Sequence, residues 1–425
     1  MIQLARLLLV TILLVAASAT GAPAQQPPDP GARSQPPPDQ AEAVQTTDVF
    51  DLLRKLRHKE LTEAERAAEK DYQKRMIAFA PVVGAKPSSG VLVGVAGNVA
   101  SFRGDPKTTR ISSAVASLTF SSKKQTSLTA RFGLFTRDDR WHVEGDNRFL
   151  WTSQDTYGLG TGTTSADGVN MKYDYVRIYE TAFRRLRGSV FAGAGFHFSA
   201  HTDVRPGEDA DPAWEESPYV VYSQQHGFPL ESQTSAGASL NLLADTRDNA
   251  IDPERGWLGR ASYRMFFNGA LGGDSTWQQL YLDARTYTKL TKDARHMLAF
   301  WLLGDFVVGG VAPYLDLPAT GMDTYGRSAR GYSEGRFRGE RLLYGEVEYR
   351  ATLMRNGLLG MVAFLNTTTI TNVQQGEKLF DSFASAGGAG LRLLINRRSK
   401  TNLCLDFGFG KQGSRGVYLA VQEAF

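Results

Sequence analysis

The sequence predicts an all-β, transmembrane antiparallel barrel of about sixteen strands, preceded by a short linker and helix. Three observations predict it. The chain starts like an exported protein, it alternates with period two from about residue 76 onward, and nothing after the start is apolar enough to cross a bilayer as a helix.

The start comes first. Arg6 precedes an apolar stretch from Leu7 to Ala17, and Ala22 and Ala24 stand two apart, the small-residue spacing of a signal-peptidase site. We place the cut after Ala24, giving a signal peptide over 1–24. The apolar run is shorter than the about 20 residues of a spanning helix, and no Cys near the cut offers a lipid anchor. Residues 25–46 are rich in Pro, Gln and Ala and read as a linker. Residues 47–75 read as a periplasmic helical segment. There Asp48 caps a stretch with Phe50, Leu52, Leu53 and Leu56 on one side, and Thr62 with Glu65 forms a second capping pattern.

The period-two pattern assigns 76–425 to the barrel. Trp257, Gly259, Ala261, Tyr263 and Met265 share one face, opposite Arg260, Ser262 and Arg264. Leu280, Leu282 and Ala284 oppose Gln279, Asp283 and Arg285. Leu343, Val347, Tyr349 and Ala351 oppose Tyr344, Glu346, Glu348 and Arg350. Leu403, Leu405, Phe407 and Phe409 oppose Asn402, Cys404 and Asp406. The second face is too charged for a sandwich core and reads as a wet lumen. The run Val417, Leu419, Val421 continues to Phe425, an aromatic end expected to act as the C-terminal assembly signal. With both ends periplasmic, turns alternate between short ones, such as 137–140 and 396–400, and long surface loops near 154–170, 202–232 and 309–341.

The missing helix follows from composition. Mean hydropathy is -0.28. The longest later apolar run, Met297 to Ala312, is broken by Asp305 and glycines and reads as a strand. A spanning chain without apolar helices needs a closed barrel, because lipid leaves backbone groups unsatisfied. One cysteine excludes an intramolecular disulfide. A net charge of +4 over 425 residues gives no case for nucleic acid.

Two segments carry a resemblance. Asp245-Thr246-Arg247-Asp248-Asn249, then Pro253 and Arg255-Gly256-Trp257, make a charged turn that opens a strand. Arg330-Gly331-Tyr332 lies inside the longest loop. Together they resemble the bacterial surface antigen family of BamA/TamA-type outer-membrane assembly factors. Softer matches are Pro81 to Gly90 and Tyr157-Gly158-Leu159-Gly160. The resemblance implies a periplasmic hairpin carrying Asp245, Arg247, Asp248, Arg255 and Gly256. It also implies an inward-folded loop whose Arg330 meets acids on the wall. Glu348 stands at the family's acidic position. Asn366 stands where the family has aspartate, so the second carboxylate is missing and Glu346 is the substitute. The family's periplasmic repeat domains find no room in residues 25–75.

The implied function is help with inserting or translocating polypeptide or lipid at the outer membrane. Expected partners are outer-membrane lipid, client outer-membrane proteins or a periplasmic partner chain. The alternative is a passive pore with selectivity set by Arg260, Arg264, Glu346, Glu348 and Arg350. No metal spacing occurs among the six histidines, and no cofactor or catalytic residue is expected. The nearest enzymatic pattern, His197, Ser199 and His201 on one strand face, lacks an orienting acid nearby in sequence. Gly158-Leu159-Gly160-Thr161-Gly162 lacks phosphate-loop context and reads as a flexible surface loop.

Overall fold

The computed structural model describes residues 46–57, 74–86, 90–207, 214–293, 295–324 and 326–425. The signal peptide, nearly all of the Pro-rich linker and the Thr62–Glu65 pattern lie outside them. Among the described residues, sixteen strands form one antiparallel barrel in sequence order, with β1 meeting β16. The first eight are β1 (Met76–Lys86), β2 (Gly90–Ser101), β3 (Ser112–Ser121), β4 (Thr126–Phe135), β5 (Trp141–Thr156), β6 (Val169–Arg187), β7 (Val190–Pro206) and β8 (Ser232–Asp245). The others are β9 (Gly256–Phe266), β10 (Trp277–Lys289), β11 (His296–Gly310), β12 (Arg341–Thr352), β13 (Leu359–Ile370), β14 (Ala384–Asn396), β15 (Thr401–Gly410) and β16 (Arg415–Val421).

The period-two pattern explains the wall. On β10, Trp277, Gln279, Tyr281, Asp283, Arg285 and Tyr287 turn inward and are buried, while Leu282, Ala284 and Thr286 face out. Each outward face presents large apolar side chains, among them Leu240, Phe300, Leu365 and Phe409, as a lipid-facing wall requires. No helix among the described residues is long and apolar enough to cross a membrane. The run from Met297 is strand β11.

The lumen differs from the wet channel expected. At its middle the inner charges are buried against each other and against the loop between β11 and β12, residues 311–340. Asp283, Arg285, Glu346, Glu348 and Asp406 are each less than a tenth exposed. Cavities of about 160 and 290 Å³ remain beside the loop. The charged wall is packed here because the loop and neighbouring strand side chains supply its partners.

The glycine-rich segment at 158–162 is also packed. Gly160 N donates to Arg338 O at 2.8 Å, and Asn372 Nδ2 donates to Leu159 O at 3.1 Å. The β7–β8 loop holds helix α2 (Pro218–His226), capped by Ser217 and stopped at Gly227 in the left-handed region. Its Tyr222 hydroxyl donates to Ala312 O at 3.0 Å, so it braces the base of the 311–340 loop.

At the opposite rim, helix α1 (Val49–Leu56) carries the expected cap. Asp51 N donates to Asp48 Oδ1 at 2.9 Å, and Asp48 N donates to Asp51 Oδ2 at 3.1 Å. It rests on the turns after β12 and β14: Thr47 N donates to Asn356 O at 2.9 Å, and Arg397 Nη1 to Asp51 Oδ2 at 2.6 Å.

The strand read to Phe425 stops four residues early. Gln422 adopts φ 81° and turns the tail inward. The Phe425 ring then sits 5.3 Å from Trp301 and 6.4 Å from Tyr287, and its carbonyl accepts from Arg350 Nη2 at 2.9 Å. An aromatic pocket and a cationic donor inside the rim hold the tail against the pull of strand pairing.

Candidate functional site

The 311–340 loop crosses the lumen as a strut. On one wall, three strand arginines hold its carbonyls. Arg131 of β4 donates to Thr324 O at 2.7 Å, Arg148 of β5 to Asp323 O at 2.6 Å, and Arg177 of β6 to Met322 O at 3.1 Å. At its base, Arg338 Nη1 donates to Tyr314 O at 2.9 Å and Leu315 O at 2.8 Å.

The other end is Arg330, 1 % exposed. Its guanidinium donates to Asp406 Oδ2 at 2.7 Å and to Glu346 and Glu348. The Phe364 ring lies 3.8 Å beneath it, which adds a cation–π contact in a desolvated place. Two more arginines balance the acids. Arg350 Nε donates to Glu348 Oε1 at 2.7 Å, and Arg392 Nη1 to Asp406 Oδ1 at 2.5 Å. A buried charge cluster is stable only when every member is paired this way.

Two strands supply the three acceptors because each places its acids on inward positions: Glu346 and Glu348 alternate on β12, and Asp406 lies on β15. Glu346 accepts from Arg330 and from the Tyr344 hydroxyl. Asn366 binds the loop differently: its Nδ2 donates to Arg330 O at 3.0 Å. The carboxylate that replaces the absent aspartate is Asp406. Its inward position in β15 was visible in the alternation, but nothing in the sequence pairs residue 406 with residue 330.

Gly331 lets the loop touch the wall. Its φ is 113°, and a Cβ there would meet Ala386 Cβ at 2.7 Å and Phe409 backbone at 3.1 Å. A Cβ on Gly408 would meet Gly331 N at 2.7 Å. Two glycines thus allow backbone to lie on backbone. The tip then reaches the last strand. Gly331 N donates to the Tyr418 hydroxyl at 2.9 Å, and that hydroxyl donates to Tyr332 O at 2.9 Å. The Tyr332 hydroxyl donates to Ser385 O at 2.7 Å.

The charged hairpin at 245–256 is folded on itself and tied to neighbouring turns. Arg247 Nε and Nη2 each lie 3.0 Å from the Asp245 carboxylate. Arg110 Nη2 donates to Asp245 O at 2.5 Å and Arg110 Nη1 to Asp139 Oδ2 at 3.0 Å, tying three turns together. Asp248 Oδ1 accepts from Glu254 N at 3.0 Å and Arg255 N at 3.3 Å. Gly256 has φ 96°, and a Cβ there would strike Thr246 O at 2.4 Å. Burial and the nearby Glu423 carboxylate raise Asp252 of this turn to about 7.

His197, Ser199 and His201 are buried on one inward face. The sequence showed no acid near them, yet the loop brings one: Ser199 Oγ donates to Asp316 Oδ1 at 2.8 Å. His197 Nε2 instead pairs with Ser239 Oγ at 2.7 Å. His201 Nδ1 lies 4.0 Å from the same Asp316 Oδ1, but among the described residues no hydrogen bond joins Ser199 to either histidine, so serine and histidine are not coupled as in a relay. Among the described residues no group of His, Cys, Asp or Glu side chains is arranged to hold a metal ion.

A sixteen-strand antiparallel barrel with apolar outward faces, crossed by a loop whose arginine is locked to wall carboxylates, is a barrel of the outer-membrane type. The family model described as the Omp85 superfamily domain matches residues 95–410, and the chain belongs to that superfamily. In fold it is similar to BamA from Haemophilus ducreyi lacking POTRA domains 1-3, with TM-score 0.51 and 14% identity over 83% of this chain and 70% of that one. It is also similar to CdiB from Acinetobacter baumannii, with TM-score 0.51 and 11% identity over 82% of this chain. The chain spans 59% of that CdiB. No curated protein sequence matches.

Proposed function

We propose that this barrel helps polypeptide insert into, or cross, the outer membrane by exposing strand edges at the junction of β1 and β16. One observation carries the reading. β1 and β16 share a single register position, Ala85 with Val417, whereas β1 shares eleven with β2 and β15 shares seven with β16. On its side away from β2, the rest of β1 makes no ladder with β16 among the described residues and can template an incoming strand by β-augmentation. The strut supports the reading, since it braces the wall while the junction stays weak, and Tyr418 links it to β16 itself. The inward tail supports it too, because residues 422–425 are withdrawn from pairing. Membership of the Omp85 superfamily supplies the remaining support.

The test is a disulfide across the junction. Ala85→Cys and Val417→Cys are combined in the full chain, which is folded into liposomes. Folding of a small client barrel is then timed with the bridge oxidised and reduced. Acceleration under reducing conditions that disappears on oxidation supports the reading. Acceleration unchanged by the bridge, or none from correctly folded protein, overturns it.

A further inference from the structure

Helix α1 turns its polar side toward the protein. At helical spacing Val49, Phe50, Leu52, Leu53 and Leu56 share one side, and Asp51, Arg54 and Lys55 the other. In an ordinary surface helix the apolar stripe is the buried one. Here the docking contacts come from Asp48 and Asp51, which hold Arg397 N at 3.1 Å and Arg397 Nη1 at 2.6 Å. Phe50, Leu52, Leu53 and Leu56 remain 41% to 68% exposed. Four large apolar side chains together, facing away from the protein on two turns of helix, require an apolar neighbour.

The place of attachment identifies that neighbour. α1 is fixed to the turns after β12 and β14, at the periplasmic ends of strands whose outward residues, including Leu365 and Leu391, face lipid. On the first of those turns Leu353 and Met354 are exposed as well, so the apolar belt continues from wall to helix. Exposed Lys55, Arg57 and Arg355 flank it. Apolar residues on one side and cations at the edge are the pattern of a helix that lies in a membrane interface. We propose that α1 is an interfacial anchor, lying in the periplasmic leaflet with its leucine face in the acyl region. It would grip phospholipid beside β14 and β15, one strand from the β1–β16 junction.

The full chain, in a Cys404→Ala background, is folded into phosphatidylethanolamine–phosphatidylglycerol vesicles. A nitroxide is placed at Leu53→Cys, Leu56→Cys or Lys55→Cys, and at Leu365→Cys as the lipid reference that also reports a folded barrel. Power saturation compares access to oxygen and to a water-soluble nickel chelate. Labels at 53 and 56 are expected to match 365, with oxygen access several-fold above chelate access, and the label at 55 to show the reverse. Chelate access equal at 53, 55 and 56 overturns the proposal by placing the helix in water. Low access to both reagents at 53 and 56 overturns it too, since a second copy or another protein would then cover the face.

Discussion

Arg330 and Asp406 meet at 2.7 Å with both side chains excluded from solvent. One is carried by a loop and the other by the strand next to last, so their contact fixes the loop to the wall beside the β1–β16 junction. Among the described residues, removing Arg330 leaves Glu346 buried without a cation and takes from Glu348 and Asp406 one of their cationic partners. Arg330→Ala is expected to destabilise the folded barrel by about 3–5 kcal/mol, read as a lower urea midpoint. Arg330→Lys is expected to recover only part of this, because an ammonium lacks the planar fork that serves several acids at once.

Backbone proximity gives a second prediction. Gly331→Ala and Gly408→Ala each insert a methyl into the contact between loop tip and β15. Either should lift the tip without touching a charge. The expected signature is new protease cleavage within 311–340 in a barrel that still migrates as folded. Full protection of both variants would show that the contact is not close-packed.

The tail at 422–425 should respond to pH. Asp252 faces Glu423, Arg350, Lys400, Glu254 and Asn402, and its carboxyl is raised to about 7. Because the folded value lies above the unfolded one, the folded state holds the extra proton. That stabilisation is complete below about 3.9 and is lost as pH rises through about 7. Hydrogen exchange of residues 422–425, corrected for intrinsic rate, should therefore accelerate across that range. Asp252→Asn should flatten the profile, and a wild-type profile that is already flat counts against the linkage.

The hairpin gives a fourth. Arg247→Ala leaves the Asp245 carboxylate, 2% exposed, without its two-pronged partner. A loss of roughly 1–3 kcal/mol is expected, seen as a lower denaturation midpoint. Arg247→Lys should restore about half of it.

The wall was legible in the sequence because a barrel writes its two faces into alternate residues. Asp283, Glu346, Glu348 and Asp406 could all be placed inside before any coordinate was known. Pairings between distant elements were not legible. Alternation gives the side of a strand, but not which of the inward acids an arginine on a long loop will reach, so Asp406 was missed, and nothing in the sequence told that Asn366 would meet the backbone of Arg330 rather than its guanidinium. The tail was misread for a related reason. Val417 to Val421 alternates correctly, and only the positive φ at Gln422, the aromatic pocket of Tyr287 and Trp301, and the Arg350 donor divert the chain. Those are tertiary facts. The acid near Ser199 was hidden likewise, since Asp316 lies 117 residues away.

The single thiol of the chain lies under the tail. Cys404 Sγ donates to Gln422 O at 3.2 Å, on a residue 1% exposed. Nature has thus left a chemical tripwire at the hinge: an alkylating reagent can reach it only after residues 422–425 have swung away. At fixed pH, the labelling rate of the unmodified protein becomes a clock for that excursion, and a client or a ligand that draws the tail out would announce itself by the mass of one added label.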